Sequence, residues 1–342
     1  MSRTNRAYRL RRRPAGKVTD ADLEFVTEPV GELGDGQALV QTLVLSLDPT
    51  NRIWMSDHRG YMPPVPLDSV MRGLGVGRVI ESRRADLPVG AHVLGWTGWQ
   101  ELTVADDSAL ISPFTVLPDP LPAPPSAFVG VLGHTGITAW LGLEILALAP
   151  GETVVISGAA GAVGSIATQL AKSQQARVVG VAGGPEKCAH VVEDLGADAC
   201  VDHRAEDWHD QLVAATPNGI DGDFENVGGP LMDAILDRLN IGARVALCGM
   251  IADYNQFGDG SEPIGQRAVG QLLMTRSTLQ GFLVLDYAER FAEIVEQLAG
   301  RWATGKLRAE ETVVDGLENA REALDQLFTG GNRGKLVVRV SG

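Results

Sequence analysis

The chain is poor in cysteine, in aromatic side chains and in positive charge. Only three cysteines occur among 342 residues, namely Cys188, Cys200 and Cys248. They lie far apart and are odd in number, which argues against a disulfide framework and fits a reducing cytoplasm. Aromatic residues make up 5% of the chain. Lys and Arg total 29 against 43 Asp and Glu, a net charge of −14 spread along the chain without an acidic tail. No general basic field exists to attract nucleic acid or an anionic membrane, so neither is expected as a partner. Four arginines from Arg9 to Arg13 alternate with Tyr8, Leu10 and Pro14, and read as a solvated strand face rather than a binding patch. No charged-then-apolar leader opens the chain. The longest apolar stretch, Phe128 to Ala149, is long enough to raise a membrane span. His134, Thr135, Thr138, Glu144 and several glycines interrupt it, so a buried loop and helix of a soluble, cytoplasmic protein is expected. Internal repeats and low-complexity tracts are absent as well.

What is present is more specific. The length favours about two domains, and 44% hydrophobic residues supply ordinary cores. Val154-Val155-Ile156-Ser157-Gly158-Ala159-Ala160-Gly161-Ala162-Val163-Gly164 reads as a buried strand, a tight turn and a helix start. Such a turn lets backbone N–H groups at a helix N-terminus approach a pyrophosphate, so a nucleotide cofactor is expected at Gly161, Ala162, Val163 and Gly164. Ala159 stands where the fingerprint has its first glycine.

The next strand, Ala176 to Ala182, ends in Gly183-Gly184-Pro185-Glu186-Lys187. An NAD site usually places a carboxylate at such a strand end to hold the 2′-hydroxyl. None stands there, so nothing repels a 2′-phosphate. Lys187 sits near the start of the following helix, where the helix dipole mildly disfavours a cation. Either an anionic partner explains it or it is a solvated surface lysine.

The first third is strand-rich and broken by Gly and Pro. Ala38 to Ser46, Gly75 to Ile80 and His92 to Trp96 are strand candidates in an irregular barrel, and a proline cluster from Pro118 to Pro125 marks a boundary. Strand and helix signals then alternate, with strands expected at 152–157, 176–182, 199–203, 221–227, 243–249 and 278–285. That alternation is the signature of a parallel sheet covered on both faces. A helix from Arg321 to Phe328 and a strand from Gly334 to Val340, returning to the first domain, close the chain.

Several motifs in this order resemble the medium-chain dehydrogenases/reductases, in the zinc-free branch of leukotriene hydroxydehydrogenases, prostaglandin reductases, curcumin reductases and plant double-bond reductases. They are Leu45 to Pro49, Ala159 to Gly164, Glu225-Asn226-Val227-Gly228-Gly229, Cys248 to Asn255, Gly281 to Val284 and Gly331-Asn332-Arg333-Gly334-Lys335. The resemblance covers essentially the whole chain. It implies an α/β protein with a GroES-like, β-rich catalytic domain (1–125), a Rossmann domain with a doubly wound parallel sheet (126–304) and a C-terminal segment returning to the first (305–342). It implies NADPH in the cleft between the domains, and a homodimer. By resemblance, Lys187 holds the 2′-phosphate and Asn226 lines the groove. Cys248 and Gly249 lie beside the adenosine-to-ribose stretch, Phe282 and Leu283 present backbone to the carboxamide, and Asn332 contacts the pyrophosphate or nicotinamide ribose. Gly183 and Ile251 complete the expected cofactor set. Cys248 as a small apolar strand residue and Asn332 as a turn residue are the plain alternatives.

The chain departs from the family in places. Thr50 and Asn51 follow Pro49 where a tyrosine is usual, His203 followed by Arg204 replaces a tyrosine near the adenosine phosphate, and His134 stands where relatives more often carry methionine. His203 either contacts the phosphate or is an ordinary surface histidine.

Three scattered cysteines cannot build a four-cysteine zinc lobe, and Met71 to Gly77 replaces the usual Gly-His-Glu ligand stretch. No metal site is expected. A zinc-free mechanism places charge elsewhere, as in conjugate reduction of an α,β-unsaturated ketone or aldehyde. There the cofactor supplies a hydride to the β-carbon and charge moves to the carbonyl oxygen as an enolate that hydrogen-bond donors stabilise. Tyr254, after the Cys248-Gly249 strand end, is the leading donor and would also contact the cofactor; a packed structural tyrosine is the alternative. The substrate pocket is expected to draw on Thr50, Trp54, Tyr61, Met62, His134 and Tyr287. An NADPH-dependent quinone reductase of the same fold, and a noncatalytic NADPH-binding sensor, stand as the other readings.

Overall fold

Short runs alternating between apolar and polar residues make the first third of the chain a set of strands joined by Gly- and Pro-rich turns. The computed structural model describes residues 3–57, 60–106, 114–256 and 267–341. Strands β1 (Thr4–Leu10) and β2 (Leu23–Pro29) form an antiparallel hairpin. Its arginines are matched locally, Arg9 by Glu28, Arg11 by Glu24 and Asp68, Arg12 by Asp22 and Arg13 by Asp57, in keeping with a solvated face. Next come β3 (Ala38–Ser46), helix α1 (Thr50–Trp54), β4 (Gly75–Ser82), β5 (His92–Gly95), β6 (Leu102–Ala105) and β7 (Thr115–Val116).

The apolar stretch after the proline cluster becomes helix α2 (His134–Leu146), 13 residues long and largely buried. Among the described residues no helix is long and apolar enough to cross a membrane. The alternation then proceeds through β8 (Thr153–Ser157), α3 (Ala162–Ser173), β9 (Arg177–Ala182), α4 (Pro185–Glu193), β10 (Ala199–Asp202), α5 (Trp208–Ala215), β11 (Ile220–Glu225), α6 (Gly229–Leu236), β12 (Leu239–Leu247), α7 (Gly270–Thr275), β13 (Thr278–Gly281) and α8 (Phe291–Ala303). All neighbouring pairs are parallel, in the order β10-β9-β8-β11-β12-β13. This is the doubly wound order whose direction reverses between its two central strands. β8 is buried at every position, as a central parallel strand covered on both faces requires.

The strands expected at 221–227, 243–249 and 278–285 end early, at Glu225, Leu247 and Gly281, and the first and last of these ends have identifiable reasons. β11 stops at Glu225 because its side-chain oxygen takes the N–H groups of Val227 and Gly228 away from the ladder. β13 stops at Gly281, after which Phe282 packs edge-on against Phe224 at 6.4 Å and the chain turns into a 3-10 segment, Val284–Arg290.

The chain ends with β14 (Glu311–Asp315), α9 (Ala320–Thr329) and β15 (Lys335–Arg339). β15 pairs antiparallel with β3, giving a second sheet in the order β14-β15-β3-β4-β5-β7, with β6 also on β3. The Gly334 N–H also donates to Ala160 O at 2.9 Å, so the same segment ties the glycine turn to the β-rich unit.

One core position conflicts with its surroundings. Asp223, in the middle of β11, is fully buried between its register neighbours Val155 and Val245. Among the described residues neither of its carboxylate oxygens has a hydrogen-bond partner. Burial first, and the Glu225 charge second, hold its pKa well above the ordinary carboxylate value. The unfolded chain ionises this group at the ordinary value, so the folded state binds the proton more tightly. Its stabilising contribution is therefore full below that range and is lost as pH rises toward the raised folded value. Asp223→Val, which suits a buried strand, should stabilise the protein by about 1–3 kcal/mol at pH 8 and by less at pH 5. Denaturant melts at the two pH values check this; an equal change at both would remove the titration argument.

Candidate active site

A cavity of about 840 Å³ lies at the C-terminal ends of β8 and β11. The connections leave these two strands in opposite directions, which opens a crevice at the point where the strand order reverses. Its floor is built by one hydrogen-bond set. Ser157 Oγ donates to Glu225 Oε1 at 2.7 Å, the Asn226 N–H donates to Ser157 Oγ at 2.7 Å, and Asn226 Nδ2 donates to Ser157 O at 2.7 Å.

The wall on the β8 side is the glycine turn. Gly161 caps α3 in extended conformation with no side-chain cap, leaving the first N–H groups of the helix without an intrahelical partner. Gly161, Ala162, Val163 and Gly164 all line the cavity. A Cβ on Gly164 would stand 2.3 Å from Gly158 O, so only glycine lets α3 start this close to the turn. Open N–H groups at a helix N-terminus form a ready anion site.

Beyond the end of β9, Gly183, Lys187, His203 and Arg204 line the same cavity. Lys187 Nζ donates to Asn332 O at 2.5 Å, and among the described residues it is bridged to no carboxylate. Burial, then the charges of Arg204 and Arg333, lower its pKa. The His203 pKa is also lowered, by burial and then by Arg204, so His203 is neutral at pH 7. Three side chains able to carry positive charge thus crowd one end of the cleft, and the neighbouring Asp202 carboxylate balances that charge only in part. A bound phosphate would supply the remaining negative charge, and the donor set fits the 2′-phosphate end of NADP(H).

The opposite wall comes from the end of β12. The N–H groups of Cys248 and Gly249 both donate to Glu225 O, and that of Ile251 to Asn226 O. Burial pushes the Cys248 thiol up to about 12, so it remains protonated. The Met250 N–H donates to the Tyr254 hydroxyl oxygen at 3.1 Å, which aims the ring. Burial pushes this phenol up to about 12 too, so it remains a hydrogen-bond donor at neutral pH. Phe282, Leu283 and Asn332 complete this wall; Asn332 is buried and its Nδ2 donates to Gly334 O at 3.0 Å.

Thr50, Trp54, Tyr61, Met62 and His134 face the cavity from the β-rich side and from the start of α2. Trp54 meets Tyr61 and Trp96 edge-on at 6.5 and 5.7 Å. His134 lies edge-on to Phe291, and burial lowers its pKa, so it is neutral at pH 7. Tyr287 is the exception: it packs against the hydrophobic core beside α8 and does not line the cavity.

Sequence reasoning did not assign a role to a partly buried ion pair in the wall. Lys335, 4% exposed, donates from Nζ to Asp48 Oδ1 at 2.7 Å and to Leu47 O at 2.8 Å, while Ser46 Oγ donates to Asp48 Oδ2. Both residues sit in quoted motifs, and a lysine opening an apolar strand was the available signal. The cysteine reading also changes: Cys188 and Cys200, 12 residues apart, bring their sulfurs to 3.0 Å.

Two large sheets, a glycine turn at the strand-order switch and a cleft rich in hydrogen-bond donors define a two-part dehydrogenase/reductase. A family model described as the N-terminal domain of oxidoreductase matches residues 6–112, and one described as zinc-binding dehydrogenase matches residues 162–300. An NADPH-dependent curcumin reductase of Escherichia coli is 41% identical over 343 residues, covering 99% of this chain and 97% of that protein. A 2-alkenal reductase (NADP(+)-dependent) of Nicotiana tabacum is 35% identical, covering 95% and 94%. The crystal structure of CurA in complex with NADPH from Vibrio vulnificus superposes with a TM-score of 0.92 at 39% identity, covering 98% of this chain and 99% of that one. The chain belongs to the zinc-independent branch of the medium-chain dehydrogenases/reductases. Among the described residues no group of three or more His, Cys, Asp or Glu could hold a metal ion.

Proposed function

We propose that this protein reduces the carbon–carbon double bond of α,β-unsaturated ketones or aldehydes, with NADPH as reductant. It is an NADP-dependent oxidoreductase by its kinship with the curcumin and 2-alkenal reductases. The observation that carries the substrate reading is Tyr254, a phenol kept protonated and aimed by Met250 N–H inside the cleft. When bound, the dihydronicotinamide supplies a hydride for the substrate β-carbon. The chain's own residues bind, orient and stabilise. The α3 N-terminus and glycine turn take the pyrophosphate, Lys187 with His203 and Arg204 takes the 2′-phosphate, and Asn226, Cys248, Gly249, Ile251, Phe282, Leu283 and Asn332 line the remaining groove.

The Tyr254 hydroxyl donates a hydrogen bond to the substrate carbonyl oxygen. That bond strengthens as the oxygen gathers enolate charge, so it lowers the barrier rather than merely tightening binding. Trp54, Tyr61, Met62 and Thr50 offer an apolar, aromatic surface for the rest of the substrate. Neutral His134 adds no charge to it.

We assign residues 1–125 to a catalytic domain, 126–304 to a cofactor domain and 305–342 to a returning segment, a division supported by the pairing of β15 with β3. We also propose a homodimer. Among the described residues β13 ends the parallel sheet with one free edge, and Ile241, Leu273 and Met274 expose 73%, 75% and 67% of their surface.

The direct test is NADPH consumption against a panel of enones, enals and quinones, with NADH run in parallel and products identified. Saturated ketone with a preference for NADPH supports the proposal, whereas hydroquinone as the sole product overturns it. Tyr254→Phe should lower kcat while leaving NADPH affinity within about twofold, since a bond made mainly in the transition state acts on kcat; unchanged turnover on a good enone removes Tyr254 from the reaction. Lys187→Ala deletes a charge-assisted contact of roughly 1.5–3 kcal/mol. It should weaken NADPH binding by about 10- to 150-fold and leave NADH binding unchanged, as read by titration calorimetry. Sedimentation equilibrium should give about twice the 36.3 kDa chain mass; a mass of one chain refutes the dimer.

A further inference from the structure

Cys188 and Cys200 lie outside the cavity lining, and the proposed reaction leaves them unused. Cys188 is in α4, one residue after Lys187, and Cys200 is in β10, in register with Gly180 of β9. A Cβ on Gly180 would stand 2.6 Å from Val191 Cγ1 and 2.9 Å from Ala159 Cβ, so the bare glycine lets α4 settle close to the sheet. The Cys200 thiol then donates to Cys188 Sγ at 3.0 Å. A disulfide bond is about 2.0 Å long, so roughly 1 Å of movement separates this contact from a covalent link. Both side chains are partly exposed, within reach of a small oxidant. The Cys200 hydrogen bond holds the Cys188 thiol below its ordinary pKa, which favours Cys188 as the attacking sulfur.

The two sulfurs also join the segments that carry the cations of the cleft. Lys187 precedes Cys188, and His203 and Arg204 follow shortly after Cys200. Asp202 Oδ1 already latches these segments, accepting the Gly184 N–H at 2.7 Å and the Arg204 N–H at 3.0 Å. Hydrogen bonds to a phosphate lose most of their strength when stretched beyond their narrow distance range. Any part of this roughly 1 Å closure that is taken up as a shift between α4 and β10 would stretch such bonds.

We propose that Cys188 and Cys200 are an oxidisable pair, and that closing them into a disulfide weakens the grip of the cleft on the cofactor's 2′-phosphate. The oxidant is a hydroperoxide. The Cys188 thiolate attacks one peroxide oxygen, the O–O bond breaks, and with hydrogen peroxide one water leaves once the released hydroxide is protonated. Cys200 then attacks the resulting Cys188 sulfenic acid, the S–O bond breaks, the S–S bond forms and a second water leaves. Two thiols lose two electrons and two protons, and the peroxide is reduced to two waters. A dithiol reductant reverses the link by exchange. The coupling to the cofactor rests on the assignment of Lys187, His203 and Arg204 to the 2′-phosphate.

The test treats the reduced full-length protein with hydrogen peroxide, then counts thiols, maps peptides and titrates NADPH and NADH by calorimetry. Free thiols should fall from three to one, with a Cys188–Cys200 linked peptide lighter by two hydrogens. The NADPH Kd should rise by about tenfold or more, with NADH unaffected, and dithiothreitol should restore both thiols and affinity. Cys188→Ser and Cys200→Ser should each form no link and keep their NADPH affinity after the same treatment. Sulfinic acid at Cys188 without a link overturns the pair, and a link that leaves the NADPH Kd unchanged overturns the coupling. Equal binding of NADPH and NADH by the untreated protein instead marks failure of the 2′-phosphate assignment, while the peptide map still decides whether the pair closes.

Discussion

The cleft depends on one carboxylate. Glu225 is fully buried at the end of β11, and its Oε1 accepts Ser157 Oγ, Val227 N–H and Gly228 N–H. Its backbone oxygen accepts Cys248 and Gly249. One residue thus joins β8, β11 and β12 where the sheet reverses its order, and ends β11 so that Asn226 turns toward the cavity. Burial holds its pKa above the ordinary carboxylate value, and the three donors to Oε1 offset part of that rise. Those donors separate Glu225 from Asp223 two residues earlier, which lies on the same face with no donor at all. A buried carboxyl is tolerable when it organises backbone N–H groups and costly when it does not.

Charge is arranged against the overall balance of the chain. A net charge of −14 surrounds a cleft whose one end gathers Lys187, His203 and Arg204. Along the β1–β2 hairpin, by contrast, the arginines are paired by carboxylates. Cationic side chains thus gather at one end of the cleft in a chain that is acidic overall. The proposed cysteine pair lies directly behind that cluster, so the chemistry of two sulfurs and the placement of the cations share the same short segments.

The β15 strand links the two halves mechanically. It completes the β-rich sheet beside β3, places Lys335 on Asp48, and through Gly334 bonds to the glycine turn at Ala160. Asn332, just before it, accepts Lys187 through its backbone oxygen. Contacts from the β-rich side, the glycine turn and the cation cluster converge within a few residues, so this segment ties the two sides of the cleft together.

Hydrophobic runs and glycine spacing were sufficient to place the six parallel strands, the β8–α3 turn and the returning strand, because main-chain hydrogen bonding and burial act on local patterns. The residues named for the site, most of them through the family resemblance, all line the cavity except Tyr287, but many further lining residues, such as Leu74, Trp96 and Phe328, were not named. The ends of β11 and β13, the absence of Tyr287 from the cavity, the Lys335–Asp48 pair and the Cys188–Cys200 contact were decided only by the tertiary structure. Each depends on side chains meeting across strands or across sequence separations as large as 287 residues, and no local periodicity encodes such a meeting. Composition and local order specified the elements and the chemistry available to them; packing alone determined which groups stand within bonding distance.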